Sequence, residues 1–357
     1  MYYGISLDYF LFRAHISIFT KENPVSRGYF DFVGHNDIYQ SLEKNWHVEL
    51  ATSTFFWFDL VVNPPEGMNY QRIASDYLKE LRAEVEKSTD KRFVYFISSR
   101  KRVRFSAVHQ PRYSLLKNKL FVYVEIGRER LLRRLTLTWP KDVERPQLPA
   151  VSADGRFLLV GTEHDSKPLG VSIHEFLLNH GFQLGIATEV HYVGSTDDPA
   201  TRPLNRIHRG YGDVVYSVSP DDNDIFVFYN IFKVLSIAVG ANSPINFVVG
   251  NSIIDEVKKK EEGEVLEHCL INYFGAKSQE ANKKAEYTRL KNGLSGLWAR
   301  HKIRNIAFHI EMNEPGEIFR FFSRKVAATE KHNFSCSIEK GEVVIGEPID
   351  ALSYFQD

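Results

Sequence analysis

The segment 54–88 reads TFFWFDLVVNPPEGMNYQRIASDYLKELRAEVEKS and changes character at Pro64-Pro65. Before the prolines, residues 54–62 are an aromatic and β-branched run of the kind strands use. After them, Ile73, Tyr77, Leu78, Leu81 and Val85 recur at helical spacing with charges between them, which predicts one amphipathic helix over 69–88. A strand pattern and a helix pattern side by side point to the α+β class.

Working outward, residues 2–9, 12–19, 93–98, 103–108, 119–126 and 134–139 are strand-like, so 1–140 read as a β-rich domain carrying that one helix. Three prolines, Pro140, Pro146 and Pro149, and no periodicity mark a linker, placed at 141–165. Residues 166–357 read as a mixed α/β domain. In it, 172–180 suggests a helix stopped by Gly181, and 183–194 a strand running into the turn Ser195-Thr196-Asp197-Asp198-Pro199. The apolar run 226–239 fits either a strand or a buried helix. Val265, Leu266, Cys269, Leu270, Tyr273 and Phe274 form one stripe of a helix over 261–274, and a second helix follows over 279–302. Strands are expected over 305–311 and 333–338, with Glu339-Lys340-Gly341 turning into 342–345.

The chain has 357 residues, 45 Lys+Arg against 45 Asp+Glu, and 43% apolar residues, which excludes a disordered chain and a global electrostatic pull toward nucleic acid or membrane. Charge is instead local. Residues 100–145 hold thirteen Lys+Arg against four Asp+Glu, interleaved with Phe105, Tyr113, Phe121, Tyr123 and Trp139. Arg100, Lys101, Arg102, Arg104, Arg128, Arg130, Arg133 and Arg134 are the expected nucleic-acid contacts, with aromatics available to stack on bases. The competing reading pairs these cations with acids inside the fold. Two cysteines, Cys269 and Cys336, are too few for a disulfide framework, and the chain starts Met1-Tyr2-Tyr3 without an apolar leader. A cytoplasmic protein with no membrane span is expected.

The segment from His191 to Arg202, HYVGSTDDPATR, followed by His208, places a Tyr at a strand end, then Gly194, which lets the chain turn, and an Arg ten positions after the Tyr. It resembles the second half of the GIY-YIG nuclease signature, at Tyr192, Arg202 and His208. Downstream, EHCLINYF from Glu267 and then Asn282 is similar to that family's metal-binding helix and following Asn. The resemblance implies metal-dependent phosphodiester hydrolysis. Glu267 would hold Mg²⁺, Tyr192 would orient water, Arg202 would stabilise transition-state charge, and His208 and Asn282 would support them. The first half of the signature should add a Tyr on an adjacent strand, roughly ten residues upstream. Gly185-Ile186-Ala187 has Ala at that place and lies too close. The alternative is a non-catalytic component that binds nucleic acid or a protein partner through the same basic segment. Asp221-Asp222-Asn223-Asp224 reads as a solvated turn, lacking the Gly and terminal Glu of a calcium loop.

Overall fold

The computed structural model describes residues 26–64, 70–88, 93–114, 118–138, 147–160, 169–200, 209–239, 246–276, 282–311 and 316–348. The strands expected over 2–19 lie outside them. In chain order the strands are β1 Lys44–Trp57, β2 Phe93–Lys101, β3 Val103–Phe105, β4 Arg112–Tyr113, β5 Lys119–Ile126, β6 Leu131–Thr138, β7 Ala150–Val151, β8 Phe157–Val160 and β9 Leu169–Ser172. They continue with β10 Thr188–Thr196, β11 Asn223–Ala238, β12 Phe247–Gly250, β13 Ile303–Glu311, β14 Phe321–Phe322, β15 Lys331–Glu339 and β16 Glu342–Gly346. The longer helices are α1 Tyr70–Ser88, α2 Ile173–Asn179, α3 Arg209–Ser217, α4 Lys259–Phe274 and α5 Lys283–His301. The α+β class holds.

Nine strands form one sheet in the order β14-β10-β2-β11-β1-β13-β15-β16, with β12 beside the end of β11. β1–β13 and β10–β14 are parallel pairs, and the others are antiparallel. The apolar run 226–239 is settled as strand, because β11 lies between β1 and β2 with both faces covered. A strand buried on both faces has no alternation to read. On one face Tyr77 of α1 meets Phe56, ring centroids 6.0 Å apart. On the other Phe274 of α4 meets Phe96 at 5.5 Å.

The division at 141–165 is corrected by this pairing. β1 and β2 precede that segment, β10 and β11 follow it, and all four are neighbours in one sheet over one apolar cluster. The segment itself carries β7 and β8, and its Phe157 and Leu158 are buried. Prolines mark where a chain turns, whereas long-range pairing decides what it joins. A second correction concerns 54–62. The strand ends at Trp57, and Phe58–Val62 forms a short helical turn with Phe58, Leu60 and Val61 buried. A short helical turn whose apolar side chains are buried can have the same composition as a strand.

Two small sheets attach to this frame: β5 flanked by β3 and β4 on one side and β6 on the other, and β7-β8-β9. Local chemistry fixes the expected turns. Ser172 caps α2 by accepting from the Glu175 amide while Glu175 returns to the Ser172 amide. Lys340 and Gly341, at φ 51° and 82°, make the two-residue turn between β15 and β16.

A buried ionic cluster ties the small sheets to the large one. Asp224 is 3% exposed rather than part of a solvated turn. It accepts from His174 Nε2 at 2.9 Å, Arg104 Nη1 at 2.9 Å and the Val103 amide at 3.2 Å. The Arg104 guanidinium also lies over the Trp57 ring, 4.8 Å from its centroid. Replacing Asp224 by Ala leaves the buried His174 without its acceptor and Arg104 with only the Val103 carbonyl and the longer Asp59 contact, so urea unfolding is expected to show a loss of roughly 3–5 kcal/mol. The exposed neighbour change Asp221→Ala should stay within about 0.5 kcal/mol. Burial pushes His174 from its ordinary 6.5 down to about 4, against the opposing pull of Asp224. The unfolded chain therefore takes up that proton first, and stability present above pH 6.5 is lost as the pH falls toward 4. His174→Gln should make the unfolding free energy less steep in pH across that window.

Candidate functional site

β10 carries the Tyr-Val-Gly-Ser-Thr segment, and its register with β2 sets the geometry. A bulge at His191 separates the pairs Val190↔Ser98 and Tyr192↔Ile97, after which pairing is regular to Thr196↔Phe93. Tyr192, Gly194 and Thr196 therefore share one face of the sheet, and Val193 and Ser195 the other.

On the first face Tyr192 stacks on Tyr95 of β2, with centroids 6.0 Å apart and planes at 28°. Gly194 permits this approach. A Cβ there would lie 2.6 Å from the Tyr95 Cζ and Oη and 2.8 Å from the Tyr192 ring. Its backbone is not left-handed, so the glycine serves close packing rather than the turn expected of it. Tyr95 in turn contacts Tyr229 at 6.4 Å, and the Tyr229 hydroxyl donates to the Pro199 carbonyl at 3.1 Å. Tyr95 is 1% exposed and Tyr192 is half-buried, so Tyr192 is the more accessible ring of the pair.

On the second face the Ser195 hydroxyl donates to the Glu267 carboxylate. Glu267 is half-buried on α4, between the buried Leu266 and Leu270, and is not turned into bulk solvent. The expected trio is thus only partly brought together. Tyr192 lies on the face of β10 away from α4, whereas Glu267 meets the other face through Ser195, three residues or about 10 Å further along the strand. The faces meet at the strand's end. There Asp198 lies 3.8 Å from Arg82 of α1, and Asp197 lies 3.6 Å from Lys259 of α4. Arg202 and His208 lie outside the described residues. Asn282 is exposed at the N-cap of α5 and makes no side-chain cap bond.

Among the described residues no group of three or more His, Cys, Asp or Glu could hold a metal. Magnesium commonly takes one or two carboxylates and completes its shell with water and substrate phosphates. Glu267, steadied by Ser195, fits that kind of donor set and no closed protein cage.

Sequence reasoning missed Tyr95. It stands 97 positions before Tyr192, in FVYFI from Phe93, and only the strand pairing makes it a neighbour. The one signal in the sequence was a Tyr centred in an apolar strand.

The expected nucleic-acid contacts divide into two groups. Arg100 is 3% exposed, points at Glu317 at 3.5 Å and donates to the Ile186 carbonyl at 3.2 Å. Burial lowers it to about 10, opposed by Glu317 and Asp224, so it stays charged and structural. Arg104 is likewise committed to Asp224. Lys101, Arg128, Arg130, Arg133 and Arg134 are exposed, and Arg102 is half-exposed. Phe105 is buried, whereas Phe121 and Tyr123 share the outer face of β5. Arg134 lies over Phe121 at 5.0 Å and Arg112 over Tyr123 at 5.7 Å. Trp139 lies outside the described residues.

Comparison with protein-family models, curated proteins and solved structures finds no match to this chain. The Tyr95–Tyr192 contact is testable by itself. Gly194→Ala forces the two rings apart and is expected to cost roughly 1–3 kcal/mol in urea unfolding. Gly346→Ala, where a Cβ meets nothing within 4 Å, should be near neutral.

Proposed function

We propose that the chain is a nucleic-acid-directed protein in which β2, β10 and α4 build a divergent GIY-YIG-like centre for metal-dependent phosphodiester hydrolysis. The observation that carries this reading is one strand holding two contacts. β10 stacks Tyr192 on the Tyr95 of its antiparallel neighbour and, one residue past Gly194, binds the helix carboxylate Glu267 through Ser195. Tyr95 is a phenol on the adjacent strand, although it stands 97 positions upstream rather than at the short spacing of the resemblance.

In this proposal Tyr192, which lies in the middle of β10 rather than at the expected strand end, orients the attacking water, and Tyr95 fixes the angle of its ring. Ser195 holds the Glu267 carboxylate in place. Glu267 would hold Mg²⁺, whose contribution when bound is to neutralise phosphate charge and favour the leaving oxygen. Arg202, His208 and Asn282 keep the supporting roles the resemblance implies. The outer face of β5, with Phe121 and Tyr123 between Arg112 and Arg134, receives a single strand by stacking and phosphate contact. Two buried free thiols, Cys269 and Cys336, suit a cytoplasmic setting. No helix among the described residues is long and apolar enough to cross a membrane.

The opposed placement of Tyr192 and Glu267 favours a second reading, in which the centre is inactive and the chain binds nucleic acid or a protein partner without cutting. Incubation with plasmid, single-stranded DNA and RNA, with Mg²⁺ or Mn²⁺, separates the two. Cleavage is expected to require the metal and to fall roughly a hundredfold or more in Glu267→Ala. Equal cleavage by wild type and Glu267→Ala would reject the carboxylate. Retention of the strands without cleavage under any metal would select the second reading.

A further inference from the structure

A cleft of about 310 Å³ opens beside the small sheet, between β3, the turn after β5 and the turn after β7. Arg102, Arg128 and Arg130 line it, facing Glu125, Asp221 and Asp154. These cations are not equivalent. Arg130 lies 3.8 Å from Glu125. The Arg102 and Arg128 guanidinium groups make no hydrogen bond or ion pair with any described residue.

The cleft walls are backbone turns held in place. Gly155, at φ 69°, accepts from the Phe105 amide at 2.7 Å, and a Cβ on it would lie 2.5 Å from the Phe105 carbonyl oxygen. At the opposite wall Gly127, at φ 66°, donates its amide to the Arg102 carbonyl at 2.8 Å. Asp222 accepts from the Arg128 amide at 3.2 Å. The frame is therefore set while two guanidinium groups are left for a ligand.

Two uncommitted arginines in one concavity match a phosphate, which guanidinium forks bind through paired hydrogen bonds. The acids on the same lining disfavour a bare multivalent anion and offer acceptors to hydroxyl or amine groups. A nucleotide has both kinds of group. The position supports this choice, since Glu125 follows Tyr123 by two residues on the outer face of β5, about 6.6 Å along the strand. The stacking face runs directly into the cleft.

We propose that this cleft receives the terminal, phosphate-bearing nucleotide of a single strand whose next bases stack on Tyr123 and Phe121. The inference rests on the nucleic-acid reading of the small sheet and adds an end preference to it. Binding there is independent of Glu267 and of any cleavage.

The test is fluorescence anisotropy with short single strands carrying a 5′-phosphate, a 3′-phosphate or neither, labelled at the other end, together with competition by adenosine monophosphate. One of the phosphorylated forms is expected to bind roughly tenfold tighter than the bare strand. The variant Arg102→Ala/Arg128→Ala, with unfolding curves confirming its fold, should erase that difference, so that the phosphorylated strands bind no tighter than the bare one. Arg134→Ala should weaken all three. Equal binding of the three strands by wild type, or a phosphate preference that survives in the double variant, overturns the end site while the stacking face stands. Failure of every strand to bind overturns both. Adenosine monophosphate binding without any strand overturns the strand-end assignment.

Discussion

β11 is sixteen residues long and is buried along most of its length on both faces, from Asn223 to Ala238. No single hairpin can satisfy such a strand. It needs hydrogen-bonded neighbours on either edge and helices above and below, and the chain supplies them from distant places. β1 and β2 flank it, α1 covers one face and α4 the other. Once β2 is seated on β11, its free edge accepts β10, and that step alone sets Tyr95 beside Tyr192. The candidate centre follows from how this one strand is buried.

The same constraint explains the charge pattern. A sheet this apolar still crosses polar positions, and several of them are answered by a partner. Asn230 in the middle of β11 accepts from the Ser53 hydroxyl at 2.7 Å, and Lys44 at the start of β1 reaches Glu256 at 2.8 Å. Arg100 and Arg104 belong to this class, placed where β2 runs on into β3 and the small sheet begins. Their neighbours Arg102 and Arg128 make no such side-chain pairing with any described residue. A run of basic residues is thus sorted by the fold into buried struts and side chains left at the surface.

Features set by local chemistry were legible in the sequence. The helices α1, α4 and α5 follow their apolar spacing, Ser172 and Gly181 bound α2, and Lys340-Gly341 makes the hairpin it suggests. What could not be read was set by pairing over distance. Phe58–Val62 has strand composition and coils because both sides are packed. Residues 141–165 look like a joint, yet the strands before and after them alternate in one sheet. Of the candidate centre, the sequence showed Tyr192, Gly194 and Glu267. Tyr95 and the Ser195 link were hidden because nothing local predicts which strand lies beside β10.

The proposed centre requires that Tyr192, on one face of β10, and Glu267 of α4, held to the other face by Ser195, serve one phosphate. A crystal of the protein with Mn²⁺ and a short non-cleavable single strand measures this directly, through the anomalous signal of the metal. The account predicts a peak at the Glu267 carboxylate, shared with a phosphate oxygen that also lies within hydrogen-bond reach of the Tyr192 hydroxyl. A strand held on β5 with no metal at Glu267, and Glu267 still bound to Ser195 away from any phosphate, would contradict it.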